Sequence, residues 1–150
     1  MILVSACLLG INCKYSGGNN RKESWIEALK GLPIVPICPE QLGGLTTPRP
    51  PAEITSTKPL VIKTKTGEDV TDAFCKGAEE LCEMARIIGA TVAILKAKSP
   101  SCGKNTIYDG SFSKTVIPGR GIAADALMRQ GITVFSEDEL DAFKAYWNEV

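Results

Sequence analysis

The sequence of 150 residues contains no histidine. This absence excludes sites that depend on an imidazole, such as Ser-His-Asp and Cys-His nucleophile pairs or zinc sites with histidine ligands. Net charge is also absent, because 17 Lys and Arg residues balance 17 Asp and Glu residues. A neutral chain has no electrostatic footprint for duplex nucleic acid or an anionic membrane, and we expect neither as a partner.

Long hydrophobic runs are missing as well. No segment approaches the ~20 consecutive apolar residues that span a bilayer. The apolar stretch at residues 2–9 is short and lacks a preceding basic segment, so it indicates a buried strand rather than a signal peptide. Six cysteines are few for a disulfide scaffold in a chain that can bury its own core. We therefore predict a cytoplasmic protein with reduced cysteines.

Short apolar runs alternate with amphipathic segments along the whole chain. The runs predict strands at residues 2–6, 34–38, 91–96 and 132–135, and the amphipathic segments predict helices at residues 24–32, 73–88, 122–130 and 137–148. This alternation favours an α/β fold, a Rossmann-like single domain over residues 1–150 with a mainly parallel sheet flanked by helices.

Several local signals refine this prediction. Pro36 lies within a predicted strand and requires an edge position, because it cannot donate a ladder hydrogen bond. Residues 39–56 are predicted to be a long irregular loop of the kind that often carries function. An edge hairpin is predicted at residues 60–70, and a hairpin or ordered loop at 108–117. Ser136 and Glu139 predict a reciprocal capping box at the start of the last helix.

Four of the six cysteines are associated with the ends of predicted strands. Cys7 and Cys38 end apolar runs, Cys102 follows another after a short polar stretch, and Cys13 lies six residues after Cys7. Ligands of open parallel sheets bind beyond the carboxyl ends of the strands, so these thiols are expected to meet. Sulfur-only ligation predicts an iron–sulfur centre first and zinc second. Two further cysteines on the helix at 73–88 are predicted core residues: Cys75 and Cys82.

Polar residues beside these cysteines are candidates for chemistry. Glu40 follows Cys38 by two residues, and Ser99 and Ser101 immediately precede Cys102. A carboxylate and a hydroxyl beside a metal centre can position a substrate and activate water. Alternatively, Glu40 is an ordinary surface carboxylate, and the two serines form hydrogen bonds with the local backbone. Arg49 in the Pro-rich loop fits a carbonyl or phosphate ligand and a solvated charge equally well.

Longer motifs make the chain resemble the family first catalogued as domain of unknown function 523, which includes the thiouracil desulfurases. The motifs that carry the resemblance cover nearly the whole chain: Ser5-Ala6-Cys7-Leu8-Leu9-Gly10, Cys13-Lys14-Tyr15, Val35-Pro36-Ile37-Cys38-Pro39-Glu40-Gln41-Leu42-Gly43-Gly44-Leu45, Pro48-Arg49-Pro50-Pro51-Ala52-Glu53, Asp69-Val70-Thr71, Ser99-Pro100-Ser101-Cys102-Gly103 and Ile107-Tyr108-Asp109-Gly110. The chain departs from the family at Ser16, where an Asp commonly follows the Tyr.

This resemblance implies a [4Fe–4S] cluster held by only three cysteines. The implied ligands are Cys7, Cys38 and Cys102, with Cys13 as either a substitute for Cys7 or an accessory thiol. The implied catalytic residues are Glu40 and one serine of the pair Ser99 and Ser101. Substrate binding is predicted for Arg49, Gly43 and Gly44.

The resemblance implies an iron–sulfur-dependent, non-redox desulfuration of a small thiolated heterocycle, a pyrimidine like 2-thiouracil, to its oxo form with release of hydrosulfide. A non-catalytic iron–sulfur or zinc-binding protein is the alternative. Against a zinc-binding protein, the sequence lacks the paired Cys-x₂₋₄-Cys spacing that is typical of structural zinc sites. A metal-free thiol enzyme is a third class, and the absence of a histidine base weakens it.

Overall fold

The computed structural model of the protein describes residues 1–149, which form eight strands, five α-helices and one 3₁₀-helix over Ala6–Leu9. The strands are β1 (Ile2–Ser5), β2 (Ile34–Ile37), β3 (Ala52–Thr57), β4 (Leu60–Thr64), β5 (Val92–Leu95), β6 (Thr106–Tyr108), β7 (Val116–Pro118) and β8 (Thr133–Ser136). The helices are α1 (Glu23–Leu29), α2 (Pro39–Leu42), α3 (Thr71–Ile88), α4 (Ile122–Arg129) and α5 (Leu140–Glu149).

Four parallel strands form the central sheet in the order β2-β1-β5-β8. Strand β1 therefore lies between the strands that precede the Cys38 and Cys102 segments. Pro36 pairs with Val4 on β2, which is an edge strand as its missing N–H requires. The α/β prediction with a mainly parallel sheet is confirmed.

Both faces of this sheet are covered by helices. Alternate residues of β1 point to opposite faces, as in any strand. Leu3 packs in the cluster that contains the buried residues of α3 and α4, whereas Ile2 and Val4 pack in the cluster with Trp25 and Phe143. These strand residues are fully buried, which explains why the run reads as continuously apolar.

Two antiparallel hairpins lie outside the central sheet, and one of them corrects the sequence analysis. Strand β3 pairs with β4, and β6 pairs with β7. The predicted irregular loop at 39–56 contains helix α2 and most of β3, and the predicted hairpin at 60–70 supplies only one strand of the observed pair. The prolines that precede β3 led the sequence analysis to extend the irregular loop over this strand.

Helix boundaries differ from prediction where capping differs. Helix α3 begins at Thr71, whose backbone N–H donates to Asp69 Oδ1 over 2.9 Å. Helix α5 begins at Leu140 rather than at residue 137. Only half of the predicted capping box is present among the described hydrogen bonds, since Glu139 Oε1 accepts the backbone N–H of Ser136 over 2.9 Å without the reciprocal bond. No helix within residues 1–149 is long and apolar enough to cross a membrane.

Helix α2 docks on α3 through two glycines. A Cβ added at Gly77 would lie 2.0 Å from the carbonyl oxygen of Pro39, and one added at Gly43 would lie 2.0 Å from the carbonyl oxygen of Ala73. Neither backbone can therefore carry a side chain at the contact. Since α2 also carries Glu40, this close packing fixes the position of that carboxylate relative to the sheet.

The substitution Gly77→Ala tests this contact. Helix propensity alone would make the variant more stable by ~1 kcal/mol. We expect a loss of about 1–3 kcal/mol in the free energy of unfolding instead, because two backbones must separate. Chemical denaturation measures it, with Gly18→Ala as the control, since a Cβ there meets its nearest atoms at an ordinary 3.5 Å. A Gly77→Ala protein as stable as the natural one would contradict the close-packing argument.

Candidate metal centre and active site

The carboxyl ends of β1, β2 and β5 open onto one cavity of about 500 Å³. Cys7 lies in the turn after β1, Cys38 directly follows β2, and Cys102 lies in the loop after β5. These three cysteines and Cys13 all line the cavity. The structure thus brings together the four thiols that the sequence analysis associated with strand ends.

Three of these sulfurs interact with one another. The Cys13 thiol donates hydrogen bonds that lower the pKa of Cys7 to about 7 and that of Cys38 to about 6, against the opposing effect of burial. The same bonds raise the pKa of Cys13. Since a thiol has one proton, Cys13 serves one thiolate at a time, and the three groups titrate together. Near neutral pH the metal-free site therefore holds thiolate, the form that binds metals.

Cys102 is also buried. Burial raises the pKa of its thiol to about 12, although the nearby hydroxyls of Ser5 and Ser101 oppose the shift. Ser5 Oγ donates to Cys102 Sγ over 3.5 Å, and Ser101 Oγ lies 3.6 Å from the same sulfur. The backbone N–H of Lys96 donates to Ser5 Oγ over 3.0 Å. That bond occupies the oxygen as an acceptor and leaves the hydroxyl proton directed at the sulfur.

A buried ion pair forms the next part of the cavity wall. Arg49 Nε donates to Glu40 Oε1 over 3.0 Å, with only 5% of the arginine side chain and 17% of the glutamate side chain exposed. The same guanidinium donates to the carbonyl oxygens of Thr46 and Cys13 and to Thr47 Oγ1, at 3.0–3.1 Å. Protein acceptors therefore take four of its five N–H groups. Arg49 connects the Glu40 carboxylate to the loop that carries Cys13.

Two serines continue this network on the other side of Glu40. Ser99 Oγ accepts the backbone N–H groups of Ser101 and Cys102, each over 3.1 Å, so its own proton is available to Ser101 Oγ at 2.9 Å. Ser101 Oγ in turn donates to Glu40 Oε2 over 3.1 Å. A directed chain of hydrogen bonds runs from Ser99 through Ser101 to the carboxylate, and Ser101 is the serine in direct contact.

The start of α4 holds the serine loop in place. The backbone N–H of Ile122 donates to the carbonyl oxygen of Pro100, and the N–H groups of Ala123 and Ala124 donate to that of Ser101, over 2.9–3.0 Å. A Cβ at Gly121 would lie 2.5 Å from the carbonyl carbon of Ser101, so the approach requires glycine. These bonds satisfy donors that a helix start leaves unpaired, and they fix the loop that carries Ser101 and Cys102.

The sequence of this protein matches a known protein family. A model of the 2-thiouracil desulfurase family matches residues 2–139. The chain belongs to this family. The resemblance to the domain of unknown function 523 family is thereby confirmed.

Two relatives extend the match to nearly the full chain. Uncharacterized protein YbbK of Bacillus subtilis (strain 168) is 43% identical over 148 residues, which cover 94% of this chain and 98% of YbbK. The solved structure of the [4Fe-4S]-dependent thiouracil desulfidase TudS is 40% identical and superposes with a TM-score of 0.91, covering 99% of this chain and 98% of TudS. The fold of this 2-thiouracil desulfurase family member is therefore that of TudS.

The donors at the cavity are suited to a soft metal group. All four candidate ligands are thiols, and the cavity between them is wide. Within residues 1–149, no three Cys, His, Asp or Glu side chains converge closely enough to hold a single metal ion. Sulfurs spread around a cavity match a group with several metal atoms, in which each thiolate binds a different atom.

Some predicted site residues lie away from the cavity of this family member. Gly43 packs against the backbone of α3, and neither it nor Gly44 is among the residues that line the cavity. We infer a packing role for Gly43. Cys75 and Cys82, which were predicted as core residues, lie outside the cavity lining but are only half-buried on α3, where burial raises the pKa of both thiols.

Other residues at the cavity were missed by the sequence analysis. Ser5 was quoted only as part of a motif, and its buried contact with Cys102 depends on the alignment of β1 with β5. Glu53 was also quoted without a role, although it lines the cavity from β3. Aromatic and basic side chains line the mouth, and a family alignment is the kind of signal that finds them: Tyr15, Tyr108, Phe112, Lys14, Lys65 and Lys114.

The hydrogen bonds of Cys13 predict a measurable titration in the metal-free protein. The first thiolate, shared between Cys38 and Cys7, should appear as a rise in absorbance near pH 6–7, and the second should appear at higher pH because Cys13 donates to only one of them. In Cys13→Ala this rise should move upward, toward the ordinary thiol range of about 8–9, because the donor that stabilises the thiolates is lost. Cys13→Ser, which keeps a donor, should retain most of the low-pH rise. An unchanged titration in Cys13→Ala would contradict the assignment.

Proposed function

We propose that this protein replaces the thiocarbonyl sulfur of a thiolated pyrimidine such as 2-thiouracil with oxygen from water, and that it uses a [4Fe–4S] cluster to do so. One thiocarbonyl and one water become one carbonyl and one hydrogen sulfide, so no electrons are gained or lost. The observation that carries the proposal is the Arg49–Glu40–Ser101 network, which shares one cavity wall with the cysteines.

The cysteine set fits the cluster that the family implies. Cys7, Cys38 and Cys102 would hold it, because they follow three adjacent parallel strands and line one cavity. Cys13 would be an accessory thiol beside two of these ligands. Held by three protein ligands, a bound cluster would supply a thiophilic Lewis acid for the thiocarbonyl sulfur.

Glu40 is proposed as the general base. Both of its oxygens already accept hydrogen bonds, from Arg49 and from Ser101, and these bonds fix the plane of the carboxylate at the cavity. A carboxylate oxygen has more than one acceptor site, so a water in the cavity can also donate to Glu40. Removal of a proton from this water makes it the nucleophile that attacks the thiocarbonyl carbon.

The neighbouring groups position this base and carry protons. Ser101 contacts Glu40 directly and lies beside Cys102, so it is the serine we place next to the reacting atoms. Ser99 orients Ser101 through its own hydroxyl. Arg49 is a positioning residue in this scheme, because protein acceptors take most of its donors. Once protonated, Glu40 can return the proton to the departing sulfide.

Glu40→Gln tests the base. The amide keeps the size of the side chain and can still accept from Arg49, but it cannot take a proton from water. We expect turnover of 2-thiouracil to fall by about 100-fold or more, within the range of general-base contributions. The iron and sulfide content of the anaerobically purified protein should stay the same. Near-normal desulfuration by this variant would remove Glu40 from the role of base.

Cys102→Ala tests the ligand assignment. This variant should lose most of its bound iron and sulfide after anaerobic purification, together with the brown absorbance of the cluster. Cys82→Ala is the matched control, because that cysteine lies outside the cavity lining and should leave the iron content unchanged. A fully loaded Cys102→Ala protein would overturn the assignment. Zinc in place of iron in the natural protein would favour the metal-binding alternative.

A further inference from the structure

A second carboxylate borders the cavity, and the proposed chemistry does not use it. Glu53 on β3 is only 8% exposed and lines the cavity. Among the ion pairs found within residues 1–149, none includes Glu53. Burial of a carboxylate is costly unless hydrogen bonds or a charge compensate it. We therefore expect hydrogen-bond donors to both oxygens of this carboxylate.

The two oxygens of Glu53 are in different situations. Oε1 accepts the backbone N–H groups of Gly110, over 3.0 Å, and of Phe112, over 3.2 Å. Both described hydrogen bonds of the side chain end on this one atom, and none reaches Oε2. No fully buried side-chain polar atom within the described residues lacks a partner. Oε2 therefore keeps some accessible surface, in a residue that lines the cavity.

The loop that Glu53 holds shapes the same part of the cavity. Phe112 and Lys114 both have positive φ angles, of 57° and 62°, and both line the cavity. Such backbone conformations cost energy in residues other than glycine, and they persist where the surroundings impose them. Two hydrogen bonds from the backbone of this loop, at Gly110 and Phe112, end on Glu53 Oε1. One oxygen of Glu53 thus binds the loop, and the other is left for a ligand in the cavity that Glu53 lines.

We propose that Glu53 Oε2 accepts a ring N–H of the substrate, and that this contact selects cyclic thioamides with an N–H beside the thiocarbonyl. The inference rests on the proposed function. An ionised carboxylate only accepts hydrogen bonds, so its partner must be a donor. Tyr108 and Phe112 line the same cavity and offer aromatic surfaces for a flat ring. The oxo product retains the N–H, so it should be recognised in the same way.

Glu53→Gln isolates this contact. The amide oxygen can still accept from Gly110 and Phe112, which keeps the loop in place, while the amide NH₂ faces the cavity and meets the ring N–H donor to donor. We expect KM for 2-thiouracil to rise about 10- to 100-fold, as for the loss of a hydrogen bond to a charged group, with kcat changed less than about 3-fold. Glu68→Gln, in the turn that follows β4 and outside the cavity lining, is the control.

Equilibrium binding of uracil by calorimetry tests the contact without turnover. The Kd of the natural protein should be at least ~10-fold lower for uracil than for uracil methylated on both ring nitrogens. In Glu53→Gln the ratio of these two Kd values should be several-fold smaller. Equal Kd values of the natural protein for the two ligands would overturn the proposal, even if the variant fails to fold. An unchanged KM and Kd in a folded, iron-loaded Glu53→Gln protein would overturn it as well.

These outcomes separate the inference from the proposed function. If the natural protein desulfurates 2-thiouracil and Glu53→Gln does so with the same KM, only the role of Glu53 fails. If the natural protein binds uracil with the expected dependence on ring N–H groups and Glu53 but releases no sulfide from 2-thiouracil, the recognition stands and the desulfuration fails.

Discussion

The parallel pairing of β1 with β2 and β5 is the constraint on which the rest of the site depends. Parallel strands in one sheet end at the same edge, and β1 lies between the two others. Whatever follows these strands must therefore meet there, and in this chain three cysteines follow them. A slip of one residue in β1 would exchange Leu3 with its neighbours between the two helical layers, so core burial and the placement of Cys7 are fixed together.

Close backbone contacts connect this sheet edge to the polar groups of the cavity. The Gly43–Gly77 packing sets the position of α2 and thereby of Glu40, and the approach of Gly121 sets the loop that carries Ser101. Hydrogen bonds complete the arrangement, because both oxygens of Glu40 are held before any ligand enters. Polar groups arranged in advance in this way do not have to reorganise during a reaction. The site is thus a consequence of backbone packing as much as of side-chain chemistry.

Convergence of Cys7, Cys38 and Cys102 was predictable, because apolar runs mark buried strands and parallel strands share an edge. The hydrogen-bond partners of the polar groups in the cavity could not be predicted. Arg49 reaches Glu40 only because of the path of the Pro-rich segment, and Glu53 bonds residues 57 and 59 positions further along the chain. Periodicity contains no information on such contacts. Strand β3 was missed because prolines precede it, and the capping-box pattern placed the start of α5 at residue 137 rather than at Leu140.

We propose that the cysteine-lined cavity exchanges sulfur for oxygen by hydrolysis, without net redox change. The most direct measurement is anaerobic turnover of 2-thiouracil in heavy-oxygen water, with no reductant present and with sulfide and product analysed together. We expect each uracil formed to carry one heavy oxygen atom. We also expect one hydrosulfide to be released for each uracil. Sulfide release that requires a reductant, or uracil without heavy oxygen, would contradict this proposal.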